Sequence, residues 1–84
     1  MIFAIDCGNT RLKWGVQDGA GWRALGLLEY ADLPGLADLI RAQPGIDRAV
    51  VANVAGPQVG DAVLSALTLL GTPHVWVKSQ PAQC

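Results

Sequence analysis

Residues 1–19 read MIFAIDCGNTRLKWGVQDG, and how this stretch is read decides the fold. Met1 to Ile5 is a short apolar run that meets a polar turn, the pattern of a buried strand. Asp6 follows it, then Gly8, Asn9 and Thr10. From Leu12 to Gln17 the residues alternate, with Leu12, Trp14 and Val16 on one face and Lys13, Gly15 and Gln17 on the other. That period of two belongs to a half-buried strand. The opening is therefore a hairpin whose turn carries Gly-Asn-Thr, with a carboxylate just before it and a lysine just after.

The elements beyond the hairpin follow from local rules. Asp18-Gly19-Ala20-Gly21 is a turn, since glycine tolerates positive φ. Trp22 to Tyr30 is expected as a third strand, with Trp22, Ala24, Gly26 and Leu28 sharing a face and a bulge at Gly26. Pro34 suits the first turn of a helix that Asp32 caps. Leu36, Leu39 and Ile40 recur along it at helical spacing, and Pro44-Gly45 ends it. Arg48 to Val54 is rich in β-branched residues and reads as a strand. A second helix is expected over Pro57 to Leu70, with Val59, Val63, Leu67 and Leu70 on its apolar face and Leu64 widening it. Gly71 and Pro73 stop that helix, and Val75 to Val77 forms a last strand.

The order is β-β-β-α-β-α-β. Hairpin-linked strands are antiparallel, and helical crossovers join parallel ones. The expected fold is α/β, a mixed sheet with an antiparallel opening meander followed by parallel strands. Residues 1–78 make one domain, and residues 79–84 are a tail or the start of a linker.

Composition narrows the class. The chain has 84 residues, 51% of them hydrophobic and 15% charged, with net charge −1. Domains of this size bury roughly 60% of their unfolded surface and are marginal alone. Mean hydropathy is +0.32, high for so little charge, so the apolar faces are expected to meet more than this chain. The basic residues are scattered, and no basic stripe points to nucleic acid. No apolar run reaches the ~18 residues of a membrane span. The N-terminus lacks the pattern of a secretory signal. Cys7 and Cys84 stand too far apart in role to read as a disulfide framework and are taken as free thiols of a cytoplasmic protein.

The turn itself suggests phosphate chemistry. Backbone N–H groups in a tight turn form an anion-binding nest. A residue without Cβ, here Gly8, permits close approach. Asn9 tolerates left-handed φ, and Thr10 adds a hydroxyl donor. Asp6 would repel a phosphate directly, so its sensible role is to hold Mg²⁺ through water, the metal bridging phosphate oxygens. Lys13 supplies a point charge. Each residue has a plainer reading as well: Asp6 as a turn cap, Gly8-Asn9 as a hairpin loop, Lys13 as a solvated side chain. Together they favour the phosphate site, because a carboxylate ending a buried apolar strand is costly unless paired.

IDCGNTRLKW resembles the first phosphate motif of the type III pantothenate kinases, Asp-x-Gly-Asn-Thr/Ser-x-x-Lys. Asp6, Gly8, Asn9, Thr10 and Lys13 fill it position by position. RAVVANVAGPQVGDAVLSAL is similar, more weakly, to that family's next strand and helix. The wider superfamily contains the acetate and sugar kinases, the heat-shock ATPases and actin, and the resemblance implies its ribonuclease-H-like core. It implies transfer of the ATP γ-phosphate to pantothenate in coenzyme A synthesis, with Mg²⁺ and a monovalent cation (K⁺ or NH₄⁺), by a homodimer. The segment Asp6, Cys7, Gly8, Asn9, Thr10, Arg11, Leu12 and Lys13 would then wrap the ATP phosphates, with Cys7 at a variable position and Asp6 on the metal. The family's general-base aspartate, its pantothenate element and its adenosine pocket fall after the matched region. The chain is thus expected to be an N-terminal part, inactive alone and without a catalytic base. The rival readings are another kinase or ATPase of the superfamily and a small docking module that binds no nucleotide.

Two polar residues stand outside the motif. Asn53, in an apolar strand, either bonds local backbone or contacts substrate at the strand's carboxyl end. His74 has no ligand or base partner at useful spacing and reads as structural. Trp14, Trp22 and Trp76 read as core or interface packing.

Overall fold

The computed structural model describes residues 1–77. The expected tail, the domain end at residue 78 and any role of Cys84 lie outside them. Strands β1 (Ile2–Cys7), β2 (Arg11–Asp18) and β3 (Gly21–Glu29) come first. A 3₁₀ turn (Tyr30–Gly35) leads into helix α1 (Leu36–Arg41), then strand β4 (Arg48–Asn53), helix α2 (Pro57–Leu70) and strand β5 (His74–Val77). The five strands form one sheet in the order β3-β2-β1-β4-β5. β1 pairs antiparallel with β2, as β2 does with β3, whereas β1–β4 and β4–β5 are parallel. The expected mixed sheet and element order are borne out.

The alternation along β2 sorts its side chains as expected, and β1, read as a buried apolar strand, alternates as well. Phe3, Ile5 and Cys7 of β1 and Leu12 and Val16 of β2 are buried on one face. Ala49 and Val51 of β4 join them, and Leu36, Ile40, Val63 and Leu67 from the two helices close that core. Phe3 is fully buried and stacks on Trp14, with ring centroids 5.6 Å apart and planes within 6°. Both helices cover this one face. The other is open, and there Trp22, Leu25 and Leu27 of β3 and Val75 and Val77 of β5 are exposed. This bare face accounts for the high mean hydropathy.

Several local expectations are corrected. The bulge is not at Gly26. Val16 pairs with Ala24 but Gln17 pairs with Trp22, which leaves Arg23 as the extra residue. The slip turns Trp22 away from Ala24 and onto the open face, where its ring lies over Gly15. Gly26 is needed for a different reason: a Cβ there would meet the Trp14 indole at 2.5 Å.

Asp32 caps no helix, and Pro34 sits inside the 3₁₀ turn rather than at the start of an α-helix. Regular α-helix begins only at Leu36, after Gly35. Leu64 does not widen the apolar face of α2 but is 41% exposed. α2 itself has the expected bounds, with Pro57 in its first turn and Gly71 in the left-handed conformation after Leu70. The N–H of Thr72 closes that end on the Leu67 carbonyl at 3.0 Å.

Candidate phosphate site

The motif residues gather at one end of the sheet, where β1 and β4 both present their carboxyl ends. Ligands of open α/β sheets bind in this position. Asp6 pairs in register with Lys13 across β1 and β2, so both side chains rise side by side on the open face. Both are exposed, and among the described residues no ion pair engages either. This corrects one step of the sequence argument. Asp6 ends a strand whose alternate residues are buried, but it points to solvent, so no burial cost requires a partner for it.

Gly8, Asn9 and Thr10 connect the two strands. The Gly8 N–H donates to the Arg11 carbonyl at 3.1 Å and closes the turn. Among the described residues, the N–H groups of Asn9 and Thr10 have no acceptor. These are the donors a nest offers to an anion. Among the described residues no non-glycine residue has positive φ, so the left-handed tolerance of Asn9 is not used. Gly8 also lies outside that region. A Cβ at Gly8 would stand 3.3 Å from the Arg11 carbonyl oxygen, a tight fit.

The remaining motif residues divide by face. Cys7 and Leu12 are fully buried in the core, so only their backbone is available at the site. Arg11 is exposed and faces Glu29 at 3.9 Å. Burial first, and then the Asp6 charge beside it, pushes the Cys7 thiol from 9.0 up to about 11. A thiol so raised favours the fold fully below pH 9, and that contribution is lost as pH rises toward 11. In the reduced, folded full-length protein at pH 8, alkylation of Cys7 is expected to run about 100-fold slower than in denaturant, from the loss of thiolate alone. Peptide mapping after timed iodoacetamide treatment checks this.

Asn53 lies at the carboxyl end of β4, beside the turn. Its amide nitrogen donates to the Gly56 carbonyl at 2.9 Å, and its oxygen accepts from the Ala55 N–H at 2.8 Å. The local-backbone role is thus the one observed. The Val54 N–H donates to the Cys7 carbonyl at 3.0 Å and ties this loop to the end of β1. His74 accepts from the Trp76 indole N–H at 2.8 Å on the sheet edge, away from the turn.

Sequence reasoning missed Tyr30. Its hydroxyl donates to the Gly8 carbonyl, and it lies 3.1 Å from that of Arg11. Nothing local signals this contact, because the residues are 22 and 19 positions apart.

Among the described residues no three His, Cys, Asp or Glu side chains cluster as a metal cage. A lone exposed carboxylate beside an anion nest suits Mg²⁺, which keeps several waters and is often held by one or two carboxylates plus substrate phosphates.

The sheet order and helix placement define a ribonuclease-H-like α/β domain. The fold is similar to Thermus thermophilus RuvC, solved in complex with a Holliday junction substrate, at TM-score 0.68 and 16% identity, over 93% of this chain and 65% of that one. The family model of the type III pantothenate kinases matches residues 2–84, and the chain belongs to that family. It is 42% identical to the type III pantothenate kinase of Aromatoleum aromaticum and 40% identical to that of Dechloromonas aromatica, in each case over all of this chain and 35% of the relative. The chain thus spans about a third of the length of these relatives.

Proposed function

We propose that this chain is the N-terminal, phosphate-binding part of a type III pantothenate kinase, which transfers the γ-phosphoryl group of ATP to the hydroxyl of pantothenate. One observation carries the reading. Asp6 and Lys13 stand in cross-strand register beside a turn with two N–H donors that have no acceptor among the described residues, at the carboxyl end of the parallel strands. The Asn9 and Thr10 N–H groups, with the Thr10 hydroxyl, would hold phosphate oxygens. Lys13 would neutralise charge on them, and Arg11 would stand at the rim. The backbone of Cys7, Gly8 and Leu12 would shape the turn. Asp6 would hold Mg²⁺ through water, and the metal when bound would neutralise phosphate charge. Phosphoryl transfer depends chiefly on such positioning and neutralisation.

The general base and the pantothenate and adenosine pockets belong to the remaining two thirds of the longer protein. That part also suits the bare apolar sheet face as its cover. A monovalent cation, a homodimeric state and a cytoplasmic location complete the proposal, on the strength of the family alone. The full-length protein is expected to phosphorylate pantothenate with ATP and Mg²⁺, and to leave acetate and hexoses untouched under the same conditions. Phosphorylation of a sugar or acetate in place of pantothenate would move the assignment to another kinase of the superfamily. The absence of any nucleotide-dependent activity would favour the docking module.

A further inference from the structure

We propose that Tyr30 is a positioning residue for the phosphate turn, holding its carbonyl groups back so that its N–H groups face the ligand. The inference rests on the phosphate-site reading above.

A turn of this kind presents carbonyl oxygens as well as N–H groups, and the two have opposite effects on an anion. An N–H attracts a phosphate oxygen, while a carbonyl turned the same way repels it. Which of them faces outward depends on the orientation of two or three peptide planes. Here the carbonyls of Gly8 and Arg11 both turn toward Tyr30. Its hydroxyl donates to the Gly8 oxygen and lies 3.1 Å from the Arg11 oxygen. The Arg11 oxygen also accepts the Gly8 N–H at 3.1 Å. One phenol thus engages both ends of the loop. The hydroxyl has a single proton, which the two carbonyls share.

Tyr30 can do this because β3 runs back along β2 and places its end, Glu29, opposite Arg11. The next residue then lies under the turn. Its ring packs against the edge of the core, so the phenol is fixed by contacts independent of the ligand. Burial first, and then the charges of Cys7 and Asp6, raises its pKa, so it remains a donor throughout the neutral range.

The test uses Tyr30→Phe in the full-length protein, beside Asp6→Ala. Phenylalanine keeps the packing ring and removes only the donor. The KM for ATP is expected to rise about fivefold, the factor for one lost hydrogen bond. The KM for pantothenate should stay close to wild type, and the melting temperature should fall by no more than about 4 °C. An unchanged KM for ATP in Tyr30→Phe, with Asp6→Ala inactive, would overturn the positioning role and leave the phosphate site standing. Equal rises in both KM values with a larger fall in melting temperature would make Tyr30 merely structural, and would also overturn it. Full activity in Asp6→Ala would remove the phosphate-site reading, and the inference with it.

Discussion

Replacing Asp6 by alanine in the full-length protein is expected to lower pantothenate phosphorylation by about 10³-fold or more, while the melting temperature stays unchanged. The two halves of this outcome have separate causes. A bound metal contributes several kcal/mol of charge stabilisation in phosphoryl transfer, and each 1.36 kcal/mol is about tenfold in rate. On the proposed reading Asp6 is the group that places the metal, so its loss would forfeit most of that. Stability is spared because Asp6 is exposed and no ion pair among the described residues uses it. Asp6→Asn sharpens the test. It keeps the shape and removes the charge, so it should fail nearly as badly if the carboxylate serves a metal. Steady-state rates over a range of Mg²⁺ concentrations, with thermal unfolding in parallel, check both halves. Wild-type rates in Asp6→Ala would reduce the turn to a plain hairpin.

Phe3→Ala should act through stability instead. Phe3 is fully buried at the centre of the sheet and stacks on Trp14. Truncating a buried phenylalanine costs about 3–5 kcal/mol, as lost transfer energy plus a cavity. At roughly 0.05–0.15 kcal/mol per residue, a domain of this size has about 4–13 kcal/mol in total, so the loss is a large share of it. The variant is expected to melt well below wild type, with low soluble yield and a weakened Trp14 near-ultraviolet signal. Phe3→Leu keeps most of the volume and should lose under about 1.5 kcal/mol. If Phe3→Ala unfolds like wild type, the core is not centred on β1.

Much of this was legible because the rules involved are local. The alternation in Leu12 to Gln17 assigns each residue to a face from its neighbours in sequence alone. Pro57 and Gly71 bracketed α2 because one suits a first turn and the other a left-handed cap. The site residues were readable for a similar reason, since turn chemistry within eight positions brings them together.

The misreadings share a cause too. Gly26 in a strand looks like a bulge, but whether it is one depends on the strand beside it. The slip falls at Arg23, and the glycine instead makes room for Trp14. Asp6 looked buried because its neighbours are apolar, yet in a strand the face decides exposure. Leu64 fitted the apolar stripe of α2, but only Val63 and Leu67 of that stripe are buried, and Leu64 faces outward.

The sequence alone determined the elements, their order and the cluster of acid, glycine turn and lysine, because period, capping and turn preference act over a few residues. Only the tertiary structure decided that Asp6 and Lys13 stand side by side in solvent, that one sheet face is left bare, and that Tyr30 lies under the turn. Those facts depend on strand register, and register is a property of two segments together, here as far apart in sequence as Ile2 and Arg48.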